Sequence, residues 1–337
     1  MSTTASFDPN GPGMAGRLFG LPFSETEASL VVVPVPWEVT VSYGSGTAAG
    51  PEAILQASVQ VDLFSIDQPH LWKKGIWLSP LPETLREQSE QFRQKALEHI
   101  NLLSTKGNGE SSLHLPQINA ACESLNIYVK NTTAGLLQRG KLVGLLGGDH
   151  STPLGFLRSL SERHERFGIL HIDAHADLRK AYEGFLYSHA SIMYNVMKLP
   201  AVSRLVQVGI RDYCEEEVDV MKRSGGRIQT FFDDQLKSRL MEGDTWKTIV
   251  REIIGALPDH VYISLDIDGL DPSLGPNTGT PVPGGLSFHQ CSYLLQQVRL
   301  SGKKVIGFDL VEVSGKSEWD ANVGARVLWE LCKVMLA

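Results

Sequence analysis

Six short apolar runs rich in β-branched residues recur along this chain, each ending in glycine or polar residues. They are residues 30–37 (LVVVPVPW), 141–147 (KLVGLLG), 167–172 (FGILHI), 204–210 (RLVQVGI), 260–265 (HVYISL) and 303–308 (KKVIGF). Runs that are apolar at consecutive rather than alternate positions belong to strands buried on both faces. Between them lie stretches of helical period at residues 50–58, 84–104, 118–139, 152–163, 188–198, 245–256, 286–300 and 318–336. Alternation of this kind leaves one economical solution, an α/β fold in which a mainly parallel sheet carries helices on both sides.

Residues 1–28 are rich in glycine, proline and serine and read as an amino-terminal arm. Residues 29–337 read as one domain with a helical insertion at about 62–130, within which the polar stretch 104–112 (STKGNGESS) is expected to be a surface loop. The hydrophobic fraction of 42% and charged fraction of 20% suit a chain that buries a core. A net charge of −7, with no block of lysine and arginine, argues against a nucleic-acid partner. The four cysteines, Cys122, Cys214, Cys291 and Cys332, are scattered without CxxC spacing, which argues against a disulfide framework or a cysteine-built zinc site. No apolar run reaches membrane length, and the first residues carry neither a basic start nor an apolar stretch. A soluble cytoplasmic protein with no membrane partner is expected.

In open α/β sheets, ligands gather at the carboxyl ends of the strands. Three motifs fall at such ends: GGDHST (147–152), DAHAD (173–177) and DIDGLDP (266–272). They offer His150, Asp173, His175, Asp177, Asp266 and Asp268. The spacing in HIDAHADLR (171–179) puts alternate titratable groups on one face of an extended chain. Groups so crowded are costly to hold together unless positive charge sits among them. Six such residues supply enough bonds for two cations if two carboxylates bridge. Mixed oxygen and nitrogen ligation suits Mn²⁺, with Fe, Co, Ni and Zn left open. A calcium loop at DIDGLD does not fit, because Gly269 comes too early and Asn277 stands where the closing glutamate belongs. Asp271, before Pro272, reads as a helix cap, and His171, one step further back in its strand, as a core histidine.

The motifs GGDHS, DAHAD and SLDIDGLDP, in this order, resemble those of the ureohydrolases: arginases, agmatinases and formiminoglutamases. GTPVPGGLS (279–287) after them and SYGSGTAAGPEAI (42–54) before them strengthen the resemblance, which runs from about residue 28 to the end and is weakest across 62–130. It implies an agmatinase-like member with a three-layer α/β/α fold, a sheet of about eight strands and two Mn²⁺ per chain. By motif position, His150, Asp173, Asp177 and Asp266 would hold one ion. Asp173, His175, Asp266 and Asp268 would hold the other, with Asp173 and Asp266 bridging. A water between the ions would ionise to hydroxide near neutral pH, oriented by Asp177. The same resemblance implies that Glu312 in FDLVEVS (308–314) binds the guanidinium, and that His189 in YSHAS (187–191) shuttles a proton or orients substrate. Thr278 and Thr280 would line the site, and the assembly would be a trimer or hexamer.

Substrate choice rests on departures from type. The segment LRKAYEGFLYS (178–188) lacks the small polar residues that arginases carry after this motif, so free arginine does not fit. His189-Ala190 stands where agmatinases commonly have His-Gly. Arg179 is similar to an arginine of formiminoglutamases and would pair with a substrate carboxylate, or else form an ion pair with Glu183 four residues on. The expected activity is hydrolysis of a guanidino compound, an agmatine-like amine or a guanidino acid, to urea and an amine. The alternative is a formiminoglutamase releasing formamide from N-formimino-L-glutamate. A zinc deacetylase would leave His150, Asp177 and Asp268 unexplained as a set, and a scaffold that has lost catalysis would not need all six ligand-type residues.

Overall fold

Eight strands form one sheet in the order β2-β1-β3-β8-β7-β4-β5-β6, and every neighbouring pair is parallel. The computed structural model describes residues 7–106 and 112–337. The strands are β1 (Leu30–Val35), β2 (Ile76–Leu78), β3 (Leu142–Gly147), β4 (Phe167–Ile172), β5 (Val202–Ile210), β6 (Ile228–Phe232), β7 (His260–Asp266) and β8 (Lys304–Val311). The helices are α1 (Gly50–Ser58), α2 (Glu83–Lys106), α3 (Leu115–Gln138), α4 (Leu154–Ser161), α5 (Ile192–Val196), α6 (Glu215–Arg223), α7 (Asp233–Met241), α8 (Trp246–Ala256), α9 (Phe288–Leu300) and α10 (Glu318–Met335).

The strand runs are apolar at every position because each parity has its own core. Leu30, Val32, Ile263 and Leu310 pack with Ile54, Ile253, Leu294 and Leu328 of α1, α8, α9 and α10. Val31, Val33, Leu145 and Ile169 pack with Ala96, Val129, Phe156 and Val196 of α2 to α5. This is the three-layer arrangement. Burying each such Leu, Ile or Val contributes roughly 1.5–3 kcal/mol relative to exposure. Local signals start the helices: Ser287 accepts the Gln290 N–H and the Gln290 side chain returns to the Ser287 N–H at α9, while Thr245 caps α8.

Four elements escaped the sequence reading. β2 is three residues long and lies in the segment expected to be helical; it forms the sheet edge beside β1, and α-helix begins in this segment only at Glu83, after a short 3-10 turn at Leu71–Lys74. β6 (IQTFF) is an edge strand whose Gln229 and Thr230 hide it from a search for apolar runs. α6 and α7 are short and polar, with five acidic residues in their first turns. Residues 107–111 of the expected surface loop lie outside the described residues, as do residues 1–6 of the expected arm. From residue 18 the supposed arm is folded onto the core: Leu18, Phe19, Leu21 and Phe23 are buried. Phe19 meets Trp329 of α10 at 5.0 Å between ring centroids and donates its N–H to Ser58 Oγ at 2.9 Å. Among the described residues no helix is long and apolar enough to cross a membrane.

Candidate active site

The chain visits β3, β4, β7 and β8 far apart in sequence, but in the sheet they are adjacent as β3-β8-β7-β4. Their carboxyl ends therefore form one ledge. β3 leads to His150, β8 to Glu312, β7 ends at Asp266 and runs into Asp268, and β4 leads to Asp173, His175 and Asp177. The loops approach closely where glycine allows it. A Cβ on Gly148 would lie 2.0 Å from the Trp37 carbonyl oxygen, and one on Gly269 would lie 2.6 Å from the Asp173 nitrogen. Asp177 and Glu312 both adopt left-handed backbone, at φ 54° and 61°. Such conformations cost about 1–3 kcal/mol each in non-glycine residues and persist where surrounding structure enforces them.

At the centre is His150. Its Nε2 lies 2.9 Å from Ser264 Oγ, and that hydroxyl donates to Asp309 Oδ1 at 3.0 Å. With its proton spent on the carboxylate, the serine oxygen accepts from Nε2, so in the neutral imidazole Nδ1 is the nitrogen that carries the lone pair. Nδ1 makes no hydrogen bond, yet it faces Asp173 Oδ2 at 3.0 Å, Asp177 Oδ2 at 3.1 Å and Asp266 Oδ2 at 3.2 Å. Four buried lone-pair atoms aimed at one point repel each other unless a cation lies among them, so this donor set fits a divalent metal. A second donor set adjoins it: His175 Nδ1 is 3.1 Å from Asp268 Oδ2 and 3.5 Å from Asp173 Oδ1. Backbone N–H groups orient these carboxylates, from His175 to Asp173 Oδ1 (2.6 Å), Ala174 to Asp268 Oδ1 (3.0 Å) and Asp268 to Asp266 Oδ1 (2.8 Å).

The electrostatics agree. Burial disfavours a charged His150, but Asp173, Asp177 and Asp266 outweigh it and raise the imidazole pKa well above 6.5. His175 is raised in the same way: Asp268 and Asp173 overcome its burial. Burial, with the neighbouring Asp268 and Asp173 charges, pushes Asp266 well above the usual carboxylate range. The cluster therefore attracts positive charge, whether as protons or as metal.

Beside it stand Glu312 and His189. Glu312 Oε1 accepts the His150 N–H at 2.9 Å and lies 3.6 Å from His189 Nδ1. Glu312 Oε2 and His189 Nε2 are buried without partners. Burial opposes a charge on His189, yet Glu312, backed by Asp149 and Asp177, raises its pKa above 6.5. Thr278 donates to the Glu312 carbonyl at 2.9 Å, and Thr280 Oγ1 lies 3.5 Å from Asp268 Oδ2.

The mouth is a cavity of about 150 Å³ lined by Ser42, Arg179, Tyr182, Asp212, Glu217 and Thr280 together with site residues. The Arg179 guanidinium lies 4.8 Å from the Tyr182 ring centroid. Its expected partner Glu183 is not its neighbour, because residues 178–188 contain no helix that would bring i and i+4 together. The nearest carboxylate is Glu217, at 4.0 Å from Nε, and both Glu217 oxygens already accept backbone N–H groups, from Leu178 and Cys214 at 2.9 Å. His171 is buried as expected, but it is not inert: its Nε2 lies 2.8 Å from Asp173 Oδ2.

Sequence reasoning did not single out Asp212, Glu217, Tyr182, Ser264, Asp309 or Arg211. Arg211 donates to the carbonyls of Gly209, Asp268, Leu270 and Val282 and so ties the β5 and β7 loops together. The GIRD sequence that ends β5 was an available signal, since Arg211 and Asp212 occupy a strand end like the other motifs.

A ledge of carboxylates and imidazoles at the carboxyl ends of a parallel sheet, beside a paired Glu and His, defines a candidate metal-assisted hydrolytic site. The chain belongs to the arginase family, whose match spans residues 28–334. It is 33% identical over 306 residues to the N(1)-aminopropylagmatine ureohydrolase of Thermus thermophilus, a match covering 90% of this chain and 88% of that one. It is 34% identical over 338 residues to the guanidinobutyrase of Pseudomonas aeruginosa, covering 96% and 93%. Its fold superposes on the agmatine ureohydrolase of Thermoplasma volcanium with a TM-score of 0.71 at 22% identity, over 98% of this chain and 96% of that one. The formiminoglutamase alternative finds no support among these relatives.

Proposed function

We propose that this protein hydrolyses a guanidino compound to urea and an amine with two divalent cations held by His150, Asp173, His175, Asp177, Asp266 and Asp268. The observation that carries the reading is the Nδ1 of His150 facing three carboxylate oxygens at 3.0–3.2 Å, next to the Glu312–His189 pair. When bound, the cations neutralise the carboxylates and activate water for attack on the guanidino carbon. The unpartnered Glu312 Oε2 accepts the guanidinium N–H groups, a charge-assisted contact in a buried site. Asp177 orients the attacking water. The water oxygen bonds to the guanidino carbon and the C–N bond to the amine breaks, both water protons ending on the released amine and leaving urea. His189, whose pKa the neighbouring Glu312 raises, gives the departing amine nitrogen a proton and recovers one from the attacking water.

The Arg179 fork, stacked on Tyr182 beside a carboxylate whose oxygens are both engaged, favours a guanidino acid over an amine. Support for that class also comes from the similarity to a guanidinobutyrase. The same reading takes Mn²⁺ as the native ion, a trimer or hexamer as the assembly and the cytoplasm as the setting. The test is product release from Mn²⁺-loaded protein offered agmatine, arginine, 4-guanidinobutyrate and N-formimino-L-glutamate, with urea and formamide assayed separately. Urea from a guanidino compound is expected; formamide alone, or no product with both metal sites filled, would overturn the proposal.

A further inference from the structure

One layer beneath the ledge, a row of polar side chains runs across the otherwise apolar sheet. Asp309 of β8 pairs in register with Ser264 of β7, Ser264 with His171 of β4, His171 with Gln207 of β5, and Gln207 with Thr230 of β6. Four of the five, Asp309, Ser264, His171 and Gln207, are wholly buried. Five polar residues at one level of a buried sheet are costly unless each is satisfied. The row divides into two hydrogen-bonded arms. Ser264 and Asp309 hold His150, as described above. The other arm ends on Asp173.

The direction of that second arm follows from one acceptor. Gln207 Nε2 lies 2.8 Å from the Ala176 carbonyl oxygen, which can only accept, so this end of the amide is the NH₂ group. The amide oxygen at the other end accepts the Thr230 hydroxyl at 3.0 Å. The same NH₂ lies 3.0 Å from His171 Nδ1, which must therefore be the unprotonated ring nitrogen. The ring proton is then on Nε2 and is donated to Asp173 Oδ2 at 2.8 Å. The His175 N–H takes Asp173 Oδ1 from the other side at 2.6 Å. Each oxygen of Asp173 thus has one lone pair engaged by a fixed donor and one left over. Oδ2 is turned to His150 Nδ1 and Oδ1 to His175 Nδ1.

We infer that His171, locked by Gln207 and Thr230, is a positioning residue that holds Asp173 in the one orientation in which its carboxylate is shared between the two donor sets. The inference rests on the two-metal reading. Without the Nε2–H donor the Asp173 carboxylate is held at Oδ1 alone, by the His175 N–H, and Oδ2 can swing out of the direction that serves the first donor set.

The test compares His171→Gln with His171→Asn in otherwise intact protein, their folding checked by circular dichroism. Both are polar and of similar size, but a glutamine amide reaches the Nε2 position whereas an asparagine amide reaches only that of Nδ1. Mn²⁺ stoichiometry and affinity are read by equilibrium dialysis, and the exchange-coupled signal of a manganese pair by electron paramagnetic resonance. H171N is expected to weaken binding of the second ion by about 10–100-fold, the usual reach of a group one step behind a metal ligand, and to lose the coupled signal. H171Q is expected to keep both. Two ions and an unchanged coupled signal in wild type and in both variants would overturn the role of His171 alone. Fewer than two ions in the wild type would overturn the two-metal reading and this inference with it.

Discussion

Glu312 shows how much a single residue is made to do at this site. It carries a left-handed φ of 61° directly after β8, its Oε1 takes the His150 N–H, and its Oε2 is left buried and open. Strain of this kind is tolerated where the side chain must point away from the course of its strand. Glu312→Gln keeps the shape and removes the charge proposed to hold a guanidinium. It is expected to lower kcat/KM by about 10²–10³-fold while leaving metal content unchanged, as read by steady-state kinetics beside metal analysis. Loss of metal with the activity would instead make Glu312 part of the cage. Arg179 acts at the mouth, where solvent weakens its contacts. Arg179→Ala is expected to raise KM for 4-guanidinobutyrate about tenfold, the equivalent of about 1.4 kcal/mol, and to leave KM for agmatine no higher than in wild type.

Elements meet here through the loops between them. Glu217 in the first turn of α6 is buried and accepts two backbone N–H groups, Cys214 at the start of its own helix and Leu178 in the loop after the β4 motif. One carboxylate thereby caps a helix and pins the segment that carries Arg179. Glu217→Ala leaves both N–H groups without an acceptor and is expected to cost about 1–3 kcal/mol, visible as a lower urea midpoint, with KM for a guanidino acid rising in parallel. An unchanged midpoint would show that water replaces the carboxylate. At this scale the long strands and helices were legible, because an apolar run or a 3.6-residue stripe declares itself. β2 and β6 were not, being three and five residues long at the sheet edges. There, pairing with a neighbour rather than composition makes the strand.

Across the whole molecule the proposed metal cage would couple ion binding, pH and stability. In the metal-free chain His150, His175 and Asp266 all have raised pKa values. A raised folded-state value means that the folded chain holds protons which the unfolded chain has released, so metal-free stability falls as pH rises. For the imidazoles this loss sets in above about 6.5. Metal must displace the same protons, so Mn²⁺ affinity is expected to climb between about pH 6 and pH 9 with proton release on binding, measured by calorimetry in buffers of different ionisation enthalpy. The difference in Tm between Mn²⁺-loaded and chelator-treated protein should widen over that range. At a free ion concentration about 100 times Kd the stabilisation is roughly 2.7 kcal/mol for one site. A gap in Tm that narrows with rising pH would contradict the proposed ligand set.

What the sequence determined by itself is the class of fold and the set of ligand-type residues. Double-sided strand runs demand a parallel sheet between helices, and strand ends in such a sheet are where polar motifs can sit without leaving the core unsatisfied. The order of the strands was decided only in three dimensions. The motifs after β3, β4 and β7 converge, with Glu312 beside them, because β8, the last strand in the chain, inserts between β3 and β7. The row from Asp309 to Thr230 belongs to the tertiary structure alone. Its members come from five separate strands, each isolated within an apolar run or at an edge, and only lateral register makes them neighbours. Hydrogen bonding across a sheet depends on which strands lie side by side, and that choice is made by packing the two helical layers rather than by any local stretch of chain.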